Sequence, residues 1–157
     1  RSVNWLPNLN LPKDELLIAE ARAVEYSRSL TLFCLHQSIL KYGQDLKNEQ
    51  WIIEPLANMV IALSIMDTTY KRYMQMEGGV QKDEARDVLM LSVADQFDIC
   101  HKFGMDIINE TFSGEKLIEK QNIVHSWYKK TKYIPRRIKF QKRIADALYK
   151  HKKYYLD

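Results

Sequence analysis

The chain has 157 residues, 46% hydrophobic and 28% charged, a length and balance that fit one globular core and exclude a disordered tail. Five Gly and four Pro, against six Met, nine Tyr and many Leu, Ile, Lys and Glu, argue against a sandwich or barrel and for helices. The net charge of +4 conceals a segregation: residues 1–114 hold eleven Lys/Arg against sixteen Asp/Glu, whereas residues 115–157 hold thirteen against four, so the last third is a basic pole.

Two cysteines, Cys34 and Cys100, are too few for a disulfide-built scaffold and favour a reduced, intracellular setting. No apolar run approaches the ~20 residues of a membrane span: the longest, Leu56 to Met66, is interrupted by Asn58 and Ser64 and bounded by Glu54 and Asp67. The opening Arg1-Ser-Val-Asn-Trp5 has neither an initiator Met nor a signal-peptide pattern and reads as the edge of a piece excised from something longer.

Residues 1–12, with Asn8-Leu-Asn-Leu-Pro12, read as a lead-in from a preceding domain, and 13–157 as a single helical bundle. A first helix runs from Lys13 to Tyr42, closed by Gly43, with Leu16, Leu17, Ala19, Ala23, Val24, Leu30, Phe33, Leu35, Ile39 and Leu40 at three- and four-residue steps. A second starts at Asn48, or near Glu54 if Pro55 marks its true beginning, and reaches Tyr73 before Gly78-Gly79. Its Leu56–Met66 stretch is apolar nearly all round, which predicts the most enclosed element, at the centre of the bundle.

A third helix spans Lys82 to Phe112, with Asp83, Glu84 and Asp87 suited to its positive end and a core face of Ala85, Val88, Leu89, Leu91 or Ser92, Phe97, Cys100, Phe103 and Ile107. Two shorter helices, Glu115–Thr131 and Arg136–Tyr155, are separated at Pro135, the second striped by Phe140, Ile144, Leu148 and Tyr155. Short connections make neighbours antiparallel, so the expected fold is all-α, an antiparallel up-and-down bundle of four to five helices.

Few residues fall in patterns that carry chemistry. Asp98-Ile-Cys-His101 is half of a di-iron carboxylate motif, and Asn122-Ile-Val-His125 fails as its partner. His36, His101, His125 and His151 stand on separate segments, and Cys34 and Cys100 read as small core hydrophobes. Asn109-Glu-Thr111 fits the glycosylation sequon but falls inside a helix. No catalytic, cofactor-binding or metal-binding residue is assigned.

The basic pole is the one feature with a physical role to suggest. Lys129, Lys130, Lys132, Arg136, Arg137, Lys139, Lys142 and Arg143 interleave with Trp127, Tyr128, Tyr133 and Phe140, a pattern that suits an anionic membrane surface or nucleic acid. The alternative is a solvated face, or pairing with the acid-rich first three helices or with a missing domain. No nucleic-acid-binding signature accompanies it, so nucleic acid is the less favoured partner.

One stretch, Leu40-Lys-Tyr-Gly43 followed by Asn48-Glu-Gln50, Leu56-Ala57, Ile61-Ala-Leu63, Met66 and Lys71-Arg72, resembles the start of the C-terminal extension of very-long-chain-type acyl-CoA dehydrogenases. Asn58 stands where that family has Asp, and Pro55 lies inside the helix. The resemblance runs over about forty residues, continues helix for helix to Phe112, and says little about residues 115–157. It implies a parent oxidoreductase of fatty acid β-oxidation that desaturates acyl-CoA thioesters with FAD and a carboxylate base. None of that machinery maps here. The chain would then be the non-catalytic C-terminal helical domain, its partners its own catalytic core, a second subunit and an anionic membrane surface, its location cytoplasmic and peripheral at the membrane. The competing expectation is an independent basic helical module that binds nucleic acid or an anionic membrane.

Overall fold

The computed structural model describes Leu9, Leu11 and residues 17–156, with side chains as far as Lys152. Five α-helices follow one another: α1 (Ile18–Tyr42), α2 (Gln50–Gln75), α3 (Val80–Thr111), α4 (Gly114–Thr131) and α5 (Arg137–Leu156), with a 3-10 turn over Gly43–Asn48. No strand occurs among the described residues. The bundle is all-α with short connections, as the pattern of apolar steps and breakers predicts.

The breakers act where their chemistry allows. Gly43 closes α1 at φ +53° with its N–H on the Ile39 carbonyl, a left-handed residue where a Cβ would be strained. Gly79, at φ +135°, precedes α3 and accepts the Asp83 N–H at 3.1 Å. The α2 start differs from both expected positions: Glu49 is the N-cap residue, and Pro55 sits within the helix. Its missing N–H removes one bond to the Trp51 carbonyl, in an early turn where Trp51 and Glu54 are exposed. The expected Lys13–Leu16 portion of the first helix lies outside the described residues.

The centre of the bundle is α3, which packs against α1, α2, α4 and α5. This corrects the expectation that Leu56–Met66 is enclosed on all sides: α2 buries only a stripe of Ile52, Leu56, Met59, Ala62, Met66 and Tyr73. From α1 come Tyr26, Leu30, Phe33 and Cys34, from α3 Leu89, Val93, Phe97, Cys100, Ile107 and Ile108, and from α4 Val124 and Trp127. Each large side chain so buried stabilises the fold by about 1.5–3 kcal/mol before entropy is counted.

Several residues expected in the core are outside it. Leu35, Ile39 and Leu40 of α1, Val88 of α3 and Leu148 of α5 are exposed, while Phe140 is buried and Ile144 half-buried; the Tyr155 side chain lies outside the described set. In their place α1 buries Ser27, Ser29, Thr31, Gln37 and Ser38. Ser27, Thr31 and Ser38 donate to the carbonyls of Ala23, Ser27 and Cys34 one turn back, which satisfies hydroxyls inside an apolar core.

Candidate functional site

Two surfaces stand out once the helices are placed. The first is apolar. Opposite its buried stripe, α2 exposes Val60 (50%), Ile61 (56%) and Ile65, and α1 exposes Leu32, Leu35 and Ile39. Leu35 and Val60 face one cleft of about 480 Å³ with Thr31, Leu46, Ile53 and Ala57. By length and composition alone α2 could cross a membrane, although its inner stripe is used against α1 and α3. Exposed apolar side chains thus gather on the outer face of α2 and on α1. The all-round apolar pattern of the sequence therefore divides into a buried stripe and an exposed face.

The second surface is the basic pole, which the fold divides. Arg137 forms ion pairs with Asp95 at 3.1 Å and with Asp98, Arg143 with Asp87 at 3.3 Å, and His151 Nε2 lies 2.7 Å from Glu84 Oε1. These contacts run down α3 and fix α5 along it, so part of the charge serves packing against the acidic helix. Lys129, Lys130, Lys132, Arg136, Lys139 and Lys142 are exposed and form no ion pair among the described residues. Lys129 and Lys130 border a cleft of about 590 Å³ with Asn122, His125 and Ser126.

The histidine and cysteine constellations resolve into structural roles. The Tyr26 hydroxyl lies 2.7 Å from His101 Nδ1, joining α1 to α3. Phe97 and Tyr128 stack around that pair, with ring centroids 4.7 Å apart for His101 and Tyr128. Burial lowers the His101 pKa, with a further lowering from His125, and raises that of Tyr26. Asp98, the other half of the acid-x-x-His pair, is held by Arg137. Trp127 meets Phe33 edge-on at 5.5 Å as a core anchor, and Asn109 accepts a hydrogen bond from Gln121 at 2.9 Å.

Both thiols are fully buried, and each donates to a carbonyl at 3.6 Å, Cys34 to Gly104 and Cys100 to Met59. Burial pushes both thiols up, Cys100 to about 11, which disfavours the reactive thiolate. Among the described residues no group of three or more His, Cys, Asp or Glu is placed to hold a metal ion.

The fold has a solved counterpart. An acyl-CoA dehydrogenase complexed with FAD from Bacillus anthracis superposes with a TM-score of 0.80 and 18% identity over 88% of this chain. The match takes up 24% of that enzyme, so the chain spans about a quarter of its length. No family model matches the sequence, and no curated protein does. The likeness is one of fold: these helices superpose on part of that enzyme.

Proposed function

We propose that this chain is the non-catalytic C-terminal helical domain of an acyl-CoA dehydrogenase of the very-long-chain type, packing against a catalytic core and a second subunit. The observation that carries the reading is the superposition on one quarter of a FAD-bound dehydrogenase across nearly nine-tenths of this chain. The Asn48 to Met66 sequence pattern supports it independently, and the exposed Val60, Ile61 and Ile65 supply a face for such packing.

Three surface clefts open among the described residues. Each is a groove open to solvent of at most about 590 Å³. In this reading FAD and the carboxylate base belong to the core, and the chain contributes contact area. Association with an anionic membrane surface falls to Lys129, Lys130, Lys132, Arg136, Lys139 and Lys142, because Arg137 and Arg143 are engaged on α3.

Incubated with FAD and a long-chain acyl-CoA, the chain is expected to retain no flavin through gel filtration and to reduce no electron acceptor. Flavin co-eluting in stoichiometric amount, or turnover, overturns the reading. In the parent enzyme, Val60→Glu with Ile65→Glu should leave this bundle folded and dissociate the assembly, since both side chains are exposed here; an unchanged sedimentation coefficient counts against the packing role.

A further inference from the structure

The C-terminal ends of α1 and α3 and the start of α4 border an open cleft of about 530 Å³, lined by Gln37, Lys41, Thr111, Ser113, Lys116 and Lys120. Three lysines and a single acidic residue, Glu119, line it. Lys120 is mostly buried, laid over the rings of Phe33 and Phe112 with its Nζ 3.6 Å from Glu119, and Lys41 donates to the Thr111 carbonyl.

Ser113 and Lys116, at the positive end of α4, line the same cleft. Ser113, the N-cap residue, makes no side-chain cap bond, and the first internal contact is the Leu117 N–H on the Ser113 carbonyl at 3.3 Å. The N–H groups of Gly114, Glu115 and Lys116 precede it and have no carbonyl one turn back to pair with. An 18-residue helix thus presents unpaired donors and its positive dipole end beside three lysines.

Two buried polar side chains on the other wall lack partners. Gln37 is 5% exposed and Thr111 3%, and neither the Gln37 amide nitrogen nor the Thr111 hydroxyl has a hydrogen-bond partner among the described residues. The contrast with Ser27, Thr31, Ser38 and Thr131 is direct, since each of those buried hydroxyls donates to a carbonyl one turn back. Unmet donors at this depth weaken the fold unless something supplies acceptors.

We infer that this cleft is an anion site that takes the phosphate group of a small molecule. Lys41, Lys116, Lys120 and the first N–H groups of α4 meet the phosphate oxygens, and Gln37 and Thr111 donate from beneath. Leu40 and Phe112, also in the lining, contact the apolar part of the ligand. The site is independent of the proposed dehydrogenase parentage, because every group in it belongs to this chain.

Pyrophosphate and phenyl phosphate, titrated into the isotope-labelled chain at low ionic strength, test it by amide NMR. Saturable shifts should be confined to the backbone amides of 114–116 and the Gln37 side-chain amide, and tighter binding of phenyl phosphate would identify the apolar wall as part of the site. Lys116→Glu, at an exposed position, should weaken binding by about tenfold or more, whereas Lys116→Arg should preserve it. Ser113→Asp supplies an internal carboxylate to the same N–H groups, so it should raise the melting temperature while abolishing binding. Absence of shifts at 114–116 overturns the site. So do shifts of equal size around Lys129, Lys130 and Lys142, or binding unchanged by Lys116→Glu and Ser113→Asp, which would mark a general attraction of anions to a basic surface.

Discussion

Gly104, buried in the middle of α3, lies so close to Leu30 of α1 that a Cβ built on it would stand 2.6 Å from Leu30 Cδ2 and 2.8 Å from its Cγ. The Met59 methyl of α2 would be 3.1 Å away, so three helices converge on one hydrogen atom. A glycine inside a helix costs about 0.5–1 kcal/mol relative to alanine, and this one is the condition for the close crossing.

Gly104→Ala is therefore expected to destabilise despite its better helix propensity. Leu30 is fully buried, so its side chain must shift against packed neighbours, and the overpacking cost, about 1–3 kcal/mol, is expected to exceed the propensity gain. Denaturant unfolding measures the loss. Leu30→Ala should cost less in the Gly104→Ala background than in the native chain, because the two residues share one volume. Strict additivity of the two losses would contradict that coupling.

The Tyr26–His101 pair sets an acid limit on stability. Burial holds the His101 pKa below its ordinary value, so the unfolded chain binds a proton that the folded one resists. Stability is then full above the ordinary histidine pKa of about 6.5 and falls as pH drops through the lower folded value. A melting series from neutral to mildly acidic pH should show this fall, and His101→Gln should flatten it. Tyr26→Phe should remove a hydrogen bond worth about 1 kcal/mol at neutral pH.

Glu20 works in the opposite direction. It is 5% exposed in the first turns of α1, and desolvation raises its carboxyl pKa against a smaller opposing backbone hydrogen bond. The folded chain holds the proton more tightly than the unfolded one, so this group's contribution is complete below the ordinary glutamate pKa and is lost as pH rises through the folded value. Glu20→Gln is expected to raise the melting temperature at neutral pH by about 2–4 °C and to leave it unchanged in acid, where the native carboxyl is already neutral. A gain of equal size at both pH values would place the effect outside ionisation.

Much of this architecture was legible in the sequence, because breakers are local. Gly43, Gly78-Gly79, Ser113-Gly114 and Pro135 mark the helix ends within about four residues. What periodicity could not separate was enclosure from contact: a helix apolar on every side reads as central, whether its second face meets its own bundle or another surface. Leu56 and Val60 are identical in character, and only the position of α3 makes one core and the other exposed. The cleft at the start of α4 was equally hidden, since Gln37 and Thr111 are 74 positions apart and each alone looks like an ordinary helix residue.

The ion pairs of α5 decide what the basic pole does first. Arg137 bridges Asp95 and Asp98, Arg143 reaches Asp87 and His151 reaches Glu84, with Phe140 as the buried anchor among them. Partly exposed pairs contribute at most about 1 kcal/mol each and are screened by salt, so Arg137→Ala should hardly move the global unfolding midpoint. Its effect should be local: amide hydrogen exchange in α5 accelerates while α1 and α3 stay protected, since a helix held by one aromatic and several charges opens at lower free energy than the core. Raising the salt concentration should accelerate α5 in the native chain in the same way. Phe140→Ala, which removes the apolar anchor, should release α5 more completely than any single charge. If Arg137→Ala and Phe140→Ala instead slow or leave unchanged the exchange of α5, the helix is held by something other than α3's carboxylates and this ring.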